Sequence, residues 1–483
     1  MGASVNECRK AWGGGRHPLQ TMQQFQKERS RIPGAKFFLR APSSIPNLIF
    51  LGPELPVHGR KMRMKFYKSS QLLLVSAVSL LAAGVITACG TATTDFVYVA
   101  SSKAAGPNSY GEIDVFEINA ISGAMRQIPA SPFPSGGRNP VAETVSNDYK
   151  ALYVVNEDDN TIVQFLIGSD GKLYPQNTVN TPGIYPIAAT VSGANLFVLD
   201  TYQPLPICSN AEPCSGAVAV FPILTAAQAQ AAISPLAIAD TLGAPIANGS
   251  LNYWPLILPS LPNDVIVPTA VNVLQSGAYL YITAYDSSVT PNVGYIFGFA
   301  VGSGGALTPL NGGVPHNMGV GATGAGVHPT AIASDSSSSY VYVTDKTNNL
   351  VVSYSVASGL LTRLSGTSTG NLPSAIAVDP KYPYAYVANA QDGTVSAYSI
   401  GAGGALTSIG TYTAGIQPVA IGIDPSTNHF VFTANFLGNG AFSTVSDFQM
   451  STTDGTLINT QHSPYAASTQ LTAVAAIPHK ATF

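Results

Sequence analysis

The chain of 483 residues is long enough for one large domain or several ordinary ones, yet only 10% of it is charged, well below the roughly 25% of an average soluble domain. Gly (46) and Pro (35) are abundant, a mixture that suits short strands joined by many turns. The net charge of −3 divides into a basic leader, with 13 Lys/Arg against 3 Asp/Glu in residues 1–88, and an acidic body, with 9 against 22 in residues 89–483; such a body argues against nucleic-acid binding, which needs cations for phosphates.

Residues 1–61 carry no clear periodicity and precede a complete export signal. They read either as a start placed too early, with Met62 or Met64 as the natural one, or as a disordered basic extension. The signal, within residues 62–88, has a cationic n-region around Arg63, Lys65 and Lys68, then an uncharged apolar run from Leu72 to Ala88. That is the order of a secretory signal peptide. A run of this length would just span a bilayer, so a retained anchor helix is the alternative. Ile86-Thr87-Ala88-Cys89-Gly90 resembles the lipobox of bacterial lipoproteins, in which the Cys is acylated and becomes the new N-terminus. The resemblance implies a lipid anchor on Cys89, a linker over 89–94, and a body held to the cell envelope on its periplasmic or surface side.

The body, residues 95–483, is repetitive. Pro-x-Ala occurs at Pro140, Pro186, Pro268, Pro329, Pro373 and Pro418, with a degenerate seventh copy at Leu471-Thr472-Ala473. The first six copies each lead into an apolar run, a polar turn and a second apolar run such as ALYVVN (151–156), YVYVTD (340–345) or YAYVAN (384–389). The missing second run is DFVYVAS (95–101), at the other end of the body. A third run follows in each unit, and a Gly-x-Leu segment often closes it, as at Gly171–Leu173, Gly305–Leu307 and Gly404–Leu406. The spacing predicts four short strands per unit of about 45 residues. The runs are apolar on both faces, so single sheets bury themselves only between neighbours. The pattern therefore predicts an all-β, seven-bladed β-propeller with four-stranded blades. Its C-terminal strand joins blade 1 and closes the ring, which removes the exposed edge. An open β-solenoid is the runner-up and does not account for the split blade.

Two segments interrupt the repeat. Blade 3 carries an insertion over about 222–264, with a helix-forming start (TAAQAQAAI) and an aromatic, Pro-rich end (NYWPLILPSLP). Blade 4 has a Gly-rich return over 311–326. Both read as surface loops able to shape a binding mouth. Cys208 and Cys214 flank CSNAEPC and suit a local disulfide in an oxidising compartment. No third ligand completes a metal site there.

The phrases YVTD and YAYVAN are similar to the YVTN-type repeat, and the pattern over residues 95–479 resembles the lactonase family of seven-bladed propellers, which includes bacterial 6-phosphogluconolactonases and muconate cycloisomerases. The resemblance implies His, Arg and Glu at the mouth of the central channel. One blade of the family reads Pro-Arg-His and then Tyr-x-x-Asn-Glu. Here Tyr153-Val154-Val155-Asn156-Glu157 keeps the Glu, while Val141 and Ala142 stand at the Arg and His positions. An Asn-Arg-Gly pattern of the family reads Asn389-Ala390-Gln391 in blade 6.

Loops entering the first strand and leaving the second share one face of a propeller. Arg138, Asn139, Tyr185, His328, Asn371, Gln417 and Gln470 are expected to ring the mouth there. These are mostly neutral hydrogen-bonding groups, suited to a sugar-like or other small polar ligand, or else simply solvated turns. Glu143 stands where the other six copies carry Ala189, Val271, Ile332, Ile376, Ile421 and Val474. That series is expected to pack against the next blade. A carboxylate there would be desolvated, with a raised pKa. It would serve as a general base toward a lactone carbonyl polarised by Arg138 or His328, or as half of an ion pair with Arg138 or Lys150. The turn Glu157-Asp158-Asp159-Asn160 would bind Ca²⁺ or simply be solvated. The recurring Asn or Asp after the second strand (Asn156, Asp200, Asp345, Asn389, Asn435) reads as turn chemistry. No nucleophile elbow, phosphate loop or zinc signature appears, and no cofactor or metal is expected.

The sequence thus puts first a monomeric, lipid-anchored binding module of the envelope, with a small polar ligand or a surface protein as partner. Second comes a lactone hydrolase using Glu143 or Glu157 with Arg138 and His328.

Overall fold

The computed structural model describes residues 93–478, apart from 120–121, 205–207, 209–213, 233–238, 320–325, 426–429 and 439–441. The leader, the signal segment and Cys89 lie outside the described residues.

Seven antiparallel sheets, each with a path of four strands, make up the described chain. Their innermost strands are Leu471–Pro478, Pro140–Val145, Ile184–Ser192, Ile266–Val273, Pro329–Ser334, Pro373–Val378 and Ile416–Ile423. Each touches the next, and the seventh touches the first, so the ring is closed. The closing blade pairs Leu471–Pro478 with Thr93–Ala105 in antiparallel register, Val99 opposite Val474. The expected propeller and its split blade are therefore present.

The second strand of each blade is buried on both faces. Ala151–Asn156 and Tyr384–Asn389 have no exposed residue, whereas the outer strand Leu360–Ser368 alternates toward solvent. One apolar cluster fills each junction between blades; Phe96, Tyr98, Leu152, Val154 and Val163, for example, join blades 1 and 2.

Pro-x-Ala is a β-bulge. In blade 2 Pro140 pairs with Asn156 and Ala142 with Val155, so Val141 is the extra residue, and the same shift recurs in every blade. Of the four bulged residues that carry a hydroxyl, Thr269 bonds Thr283 within its own blade and the other three tie the ring together. Thr472 Oγ1 donates to the Pro140 carbonyl (2.8 Å), Thr330 Oγ1 to that of Pro373 (2.7 Å) and Ser374 Oγ to that of Pro418 (2.7 Å).

The Tyr of the second strand is a second staple. The hydroxyls of Tyr98, Tyr281 and Tyr386 donate to the carbonyls of Gly171, Gly359 and Gly455, at 3.1, 2.8 and 2.9 Å. Each acceptor is the turn glycine of the next blade's outer hairpin. Gly455 has φ +73°, and a Cβ there would collide with the Tyr384 ring, so both conformation and space require Gly.

The insertions differ from their expected role. The helix forms, at Ala226–Ala232. The aromatic end is not a mouth loop. Tyr253, Trp254, Leu256 and Leu258 are buried, and the Trp254 indole donates to the Leu307 carbonyl of blade 4 at 2.9 Å. Burying that much apolar surface is worth more than displaying it. In blade 4 the return buries Met318 and Val327 in the junction with blade 5. Cys208 and Cys214 form a disulfide.

Candidate functional site at the mouth

The mouth is the face where inner strands begin and second strands end. Each inner strand is entered through a tight reversal ahead of its bulge, and Asn139, Tyr185, Leu372, Gln417 and Gln470 all sit at positive φ, between 52° and 62°. Such backbones in residues other than glycine are uncommon and need holding in place. Neighbouring blades do the holding. Asn160 Oδ1 accepts from the Tyr185 N–H (2.7 Å) and Asn349 Oδ1 from that of Leu372 (2.9 Å). Leu372, not Asn371, immediately precedes Pro373. Asn371 is one residue back, and its backbone and side-chain N–H groups both donate to Asp392.

On blade 2 the structure brings Arg138, Asn139 and Glu157 together. Asn139 Nδ2 donates to Glu157 Oε2 at 2.7 Å and to Asp158 Oδ1 at 3.3 Å. Arg138 lies along Asp159, with Nε and Nη2 each 2.6 Å from Oδ1, and its N–H donates to Oδ2. Burial, with the Asp158 carboxylate next to it, pushes Glu157 up to about 7, against the opposing Asn139 amide. The acidic turn is thus occupied by its own neighbours. Among the described residues no group of three or more His, Cys, Asp or Glu side chains is placed to hold a metal ion.

His328 lies three blades away, on blade 5. Its ring stacks on Tyr285 of blade 4, centroids 3.9 Å apart and 32° between planes. Burial, helped by Lys346, pushes it down to about 3, so it is neutral at physiological pH. Tyr285 in turn feels Tyr202 of blade 3, and Tyr202 meets Tyr185 edge-on at 6.3 Å. Tyr185, Tyr202, Tyr285 and His328 therefore form an aromatic arc over blades 3 to 5, with Lys346, its ammonium depressed by burial, at the end. Of these, the sequence reading missed Tyr202, Tyr285 and Lys346. A signal for two of them existed. The position after the residue paired with each Pro reads Glu157, Thr201, Tyr285, Lys346, Ala390 and Phe436. It varies while its predecessor is nearly always Asn or Asp. The predecessors are indeed scaffold: Asn435 Nδ2 bonds Thr444 and Ser446, and Asp345 accepts the His328 N–H.

Glu143 joins neither group. It packs against the preceding blade, as do its six apolar counterparts, and not against the next one: Ile376 sits with Tyr342 and Val351 of blade 5, and Val474 with Phe430 and Phe432 of blade 7. Arg138 is taken by Asp159, and neither Glu143 oxygen, both buried, has a hydrogen-bond partner. The expected ion pair with Arg138 or Lys150 is absent. Burial pushes Glu143 up to about 8; the backbone N–H groups of Ala475 and Ala100 oppose the rise without making an aligned bond.

The lactonase seven-bladed β-propeller family model matches residues 299–422 and 344–470. No curated protein sequence matches the chain. Among solved structures, a candidate 6-phosphogluconolactonase of Bacteroides fragilis is 18% identical, with a TM-score of 0.59 over 80% of this chain and 99% of that one. The periplasmic gluconolactonase of Pseudomonas aeruginosa gives the same 18%, 0.59, 80% and 99%, and a candidate 6-phosphogluconolactonase of Bacteroides uniformis gives 16%, 0.56, 80% and 99%. At such identities these likenesses carry the fold alone. The family model thus matches from blade 4 to blade 7, and around the whole ring the architecture is a seven-bladed β-propeller similar to those of the lactonase family.

Proposed function

We propose that the protein hydrolyses lactones at its mouth, with Glu157 as general base. One observation carries the reading: in a lactonase-like propeller, a mouth carboxylate is held by Asn139 beside Arg138 and is poised near neutrality. A base with its pKa near the working pH combines availability with driving force. Glu157 would take a proton from water as the water oxygen bonds the lactone carbonyl carbon. Arg138, pinned by Asp159, would face the developing oxyanion. The ring C–O bond then breaks and the proton passes to the leaving oxygen, giving a hydroxy acid. Glu143 is the poorer base, since it holds its proton to about pH 8 and lies in the wall between blades 1 and 2.

The aromatic arc supports a ring-shaped substrate packed on Tyr185, Tyr202 and Tyr285. With Arg138 paired and Lys346 depressed, the mouth offers little to a phosphate, so the reading extends to an unphosphorylated sugar-like lactone. The family match moves this hydrolase ahead of the binding module that the sequence put first. The binding reading keeps one argument, since Arg138 is already neutralised by Asp159 and the arc alone would hold a ligand. Export on a lipid-anchored Cys89 is part of the proposal, supported by the Cys208–Cys214 disulfide.

The test is turnover of a lactone panel, phosphorylated and not, by the wild type and by Glu157→Gln and Glu143→Gln. Loss confined to Glu157→Gln supports the proposal. Turnover that survives in Glu157→Gln removes it as base, and no turnover on any lactone returns the mouth to binding.

A further inference from the structure

Six of the seven blade junctions are closed on the face opposite the mouth in one way: a turn glycine packs under the start of the preceding blade's second strand. The junction between blades 2 and 3 is the exception. Among the described residues, the helix Ala226–Ala232 and Asp240 stand there instead of such a glycine. A cavity of about 470 Å³ remains there, within the roughly 300–1,000 Å³ of ordinary small-molecule sites.

Tyr153 lines this cavity. It stands where Tyr98, Tyr281 and Tyr386 stand in their blades, and those hydroxyls each donate to a glycine carbonyl across the junction. Tyr153 is fully buried, and its hydroxyl has no partner. The hydroxyl of Tyr342 in blade 5 is also buried without a partner, but there Gly404 closes the junction, whereas beside Tyr153 both the acceptor and the closing glycine are gone. Burial holds the phenol far above its ordinary value, so it keeps the proton it would donate. The nearby amide of Gln164 is spent, Nε2 donating to the Asp240 carbonyl (2.6 Å) and Oε1 accepting from the Leu242 N–H (2.9 Å). Leu166, Ile167 and Ile223 supply apolar wall, and the exposed carboxylates of Asp148 and Asp240 stand at the lip with the half-buried Lys150.

We propose that this cavity is a second ligand site, independent of the mouth, for a small uncharged molecule with an apolar body and a single acceptor oxygen, such as a ketone, ester or ether. The oxygen accepts from Tyr153, and the body packs on Leu166, Ile167 and Ile223. At the lip the Lys150 ammonium is offset by the carboxylates of Asp148 and Asp240, and the buried end, offering one phenolic donor, has no counter-charge for an ion of either sign.

The test is a titration of the full chain with 4-phenylbutan-2-one, and with butylbenzene as the same body without the oxygen, followed by saturation-transfer NMR. Expected is one saturable site for the ketone, and binding about five- to tenfold weaker in Tyr153→Phe, the loss of one neutral hydrogen bond. Butylbenzene should bind both proteins alike, and Ala226→Trp should remove both ligands. Tyr153→Phe without ligand should melt no lower than wild type, which shows that the change in binding is not unfolding. The proposal is overturned if the ketone does not saturate the wild type, if Tyr153→Phe binds it equally well or loses both ligands alike, or if Ala226→Trp still binds.

Discussion

Blades 2 and 6 are built on the same phrase and differ where it matters. Both open on a bulged Pro-x-Ala, bury a Y-x-x-N second strand whole, and use an Asp in the following turn, Asp159 or Asp392, to accept the N–H of the residue two before the Pro. Blade 6 then fills its positions with groups that finish the scaffold: Asn371 on Asp392, Ile376 in the junction, Ala390 at the mouth, and Tyr386 bonded to Gly455. Blade 2 holds Arg138, Glu143, Glu157 and an unpartnered Tyr153 at the same places. A repeat tells which positions the fold needs. A departure that leaves a buried carboxylate unsatisfied, as Glu143 does where blade 6 has Ile376, works against stability, so such a departure points to where function sits.

The comparison breaks most sharply at the mouth. Glu157→Gln keeps the Asn139 contact in shape and removes the base, so kcat/KM on a responsive lactone should fall about 10²–10⁴-fold with the fold intact. In the wild type kcat/KM should climb through about pH 7 as Glu157 ionises, and the variant should lose that limb. A pH–rate profile unchanged in Glu157→Gln would assign the base elsewhere.

Next in size is Glu143→Ile, which gives blade 2 the residue of blade 6. Folded Glu143 holds its proton up to about pH 8, against 4.5 in the unfolded chain. Across that window the folded state binds the extra proton, so this group's contribution is fully present below about 4.5 and is lost as pH rises to about 8. The variant should therefore gain about 1–4 kcal/mol at pH 8 and show a flatter stability profile between these limits. Denaturant unfolding at pH 5 and pH 8 measures it; an equal effect at both would show that Glu143 is not the titrating group.

The fold was legible in the sequence because its signal repeats. Pro-x-Ala, the paired apolar runs and the strand displaced to the C-terminus determine blade number and closure between them. What the repeat hides is register. Glu143 stood out, but its side was misassigned, since the bulge at Val141 adds one residue and flips which side of the strand later residues take. Glu157 was visible as a departure from the repeat and as a match to the family pattern. Tyr202, Tyr285 and His328 come together only because consecutive blades lie side by side, and no spacing along the chain expresses that. The aromatic end of the insertion read as a mouth loop by composition, yet Trp254 and Leu256 bury themselves between blades 3 and 4.

A smaller effect separates the two tyrosines. Tyr386→Phe leaves the Gly455 carbonyl without its donor and should cost about 1 kcal/mol. Tyr153→Phe removes a hydroxyl that bonds nothing and should cost nothing or stabilise by a similar amount. Thermal unfolding of the pair reads the difference directly. Equal losses would mean that the Tyr153 hydroxyl is bonded in solution, as a bound molecule would make it.

The smallest effect is expected from Arg138→Asn, which gives blade 2 the residue that blade 6 uses at this place. The Arg138–Asp159 pair is exposed, its guanidinium side chain 51% accessible, and exposed pairs are screened by solvent. The backbone N–H of this residue remains to bond Asp159, as that of Asn371 bonds Asp392, so the melting temperature should not move. Catalysis should respond where stability does not. If Arg138 faces the oxyanion, kcat/KM falls by less than in Glu157→Gln, and the loss appears in kcat, because the charge is felt mainly in the transition state. A rise in KM alone would place Arg138 on the bound substrate instead, and no change in either would leave it as turn scaffold, the role Asn371 plays four blades on.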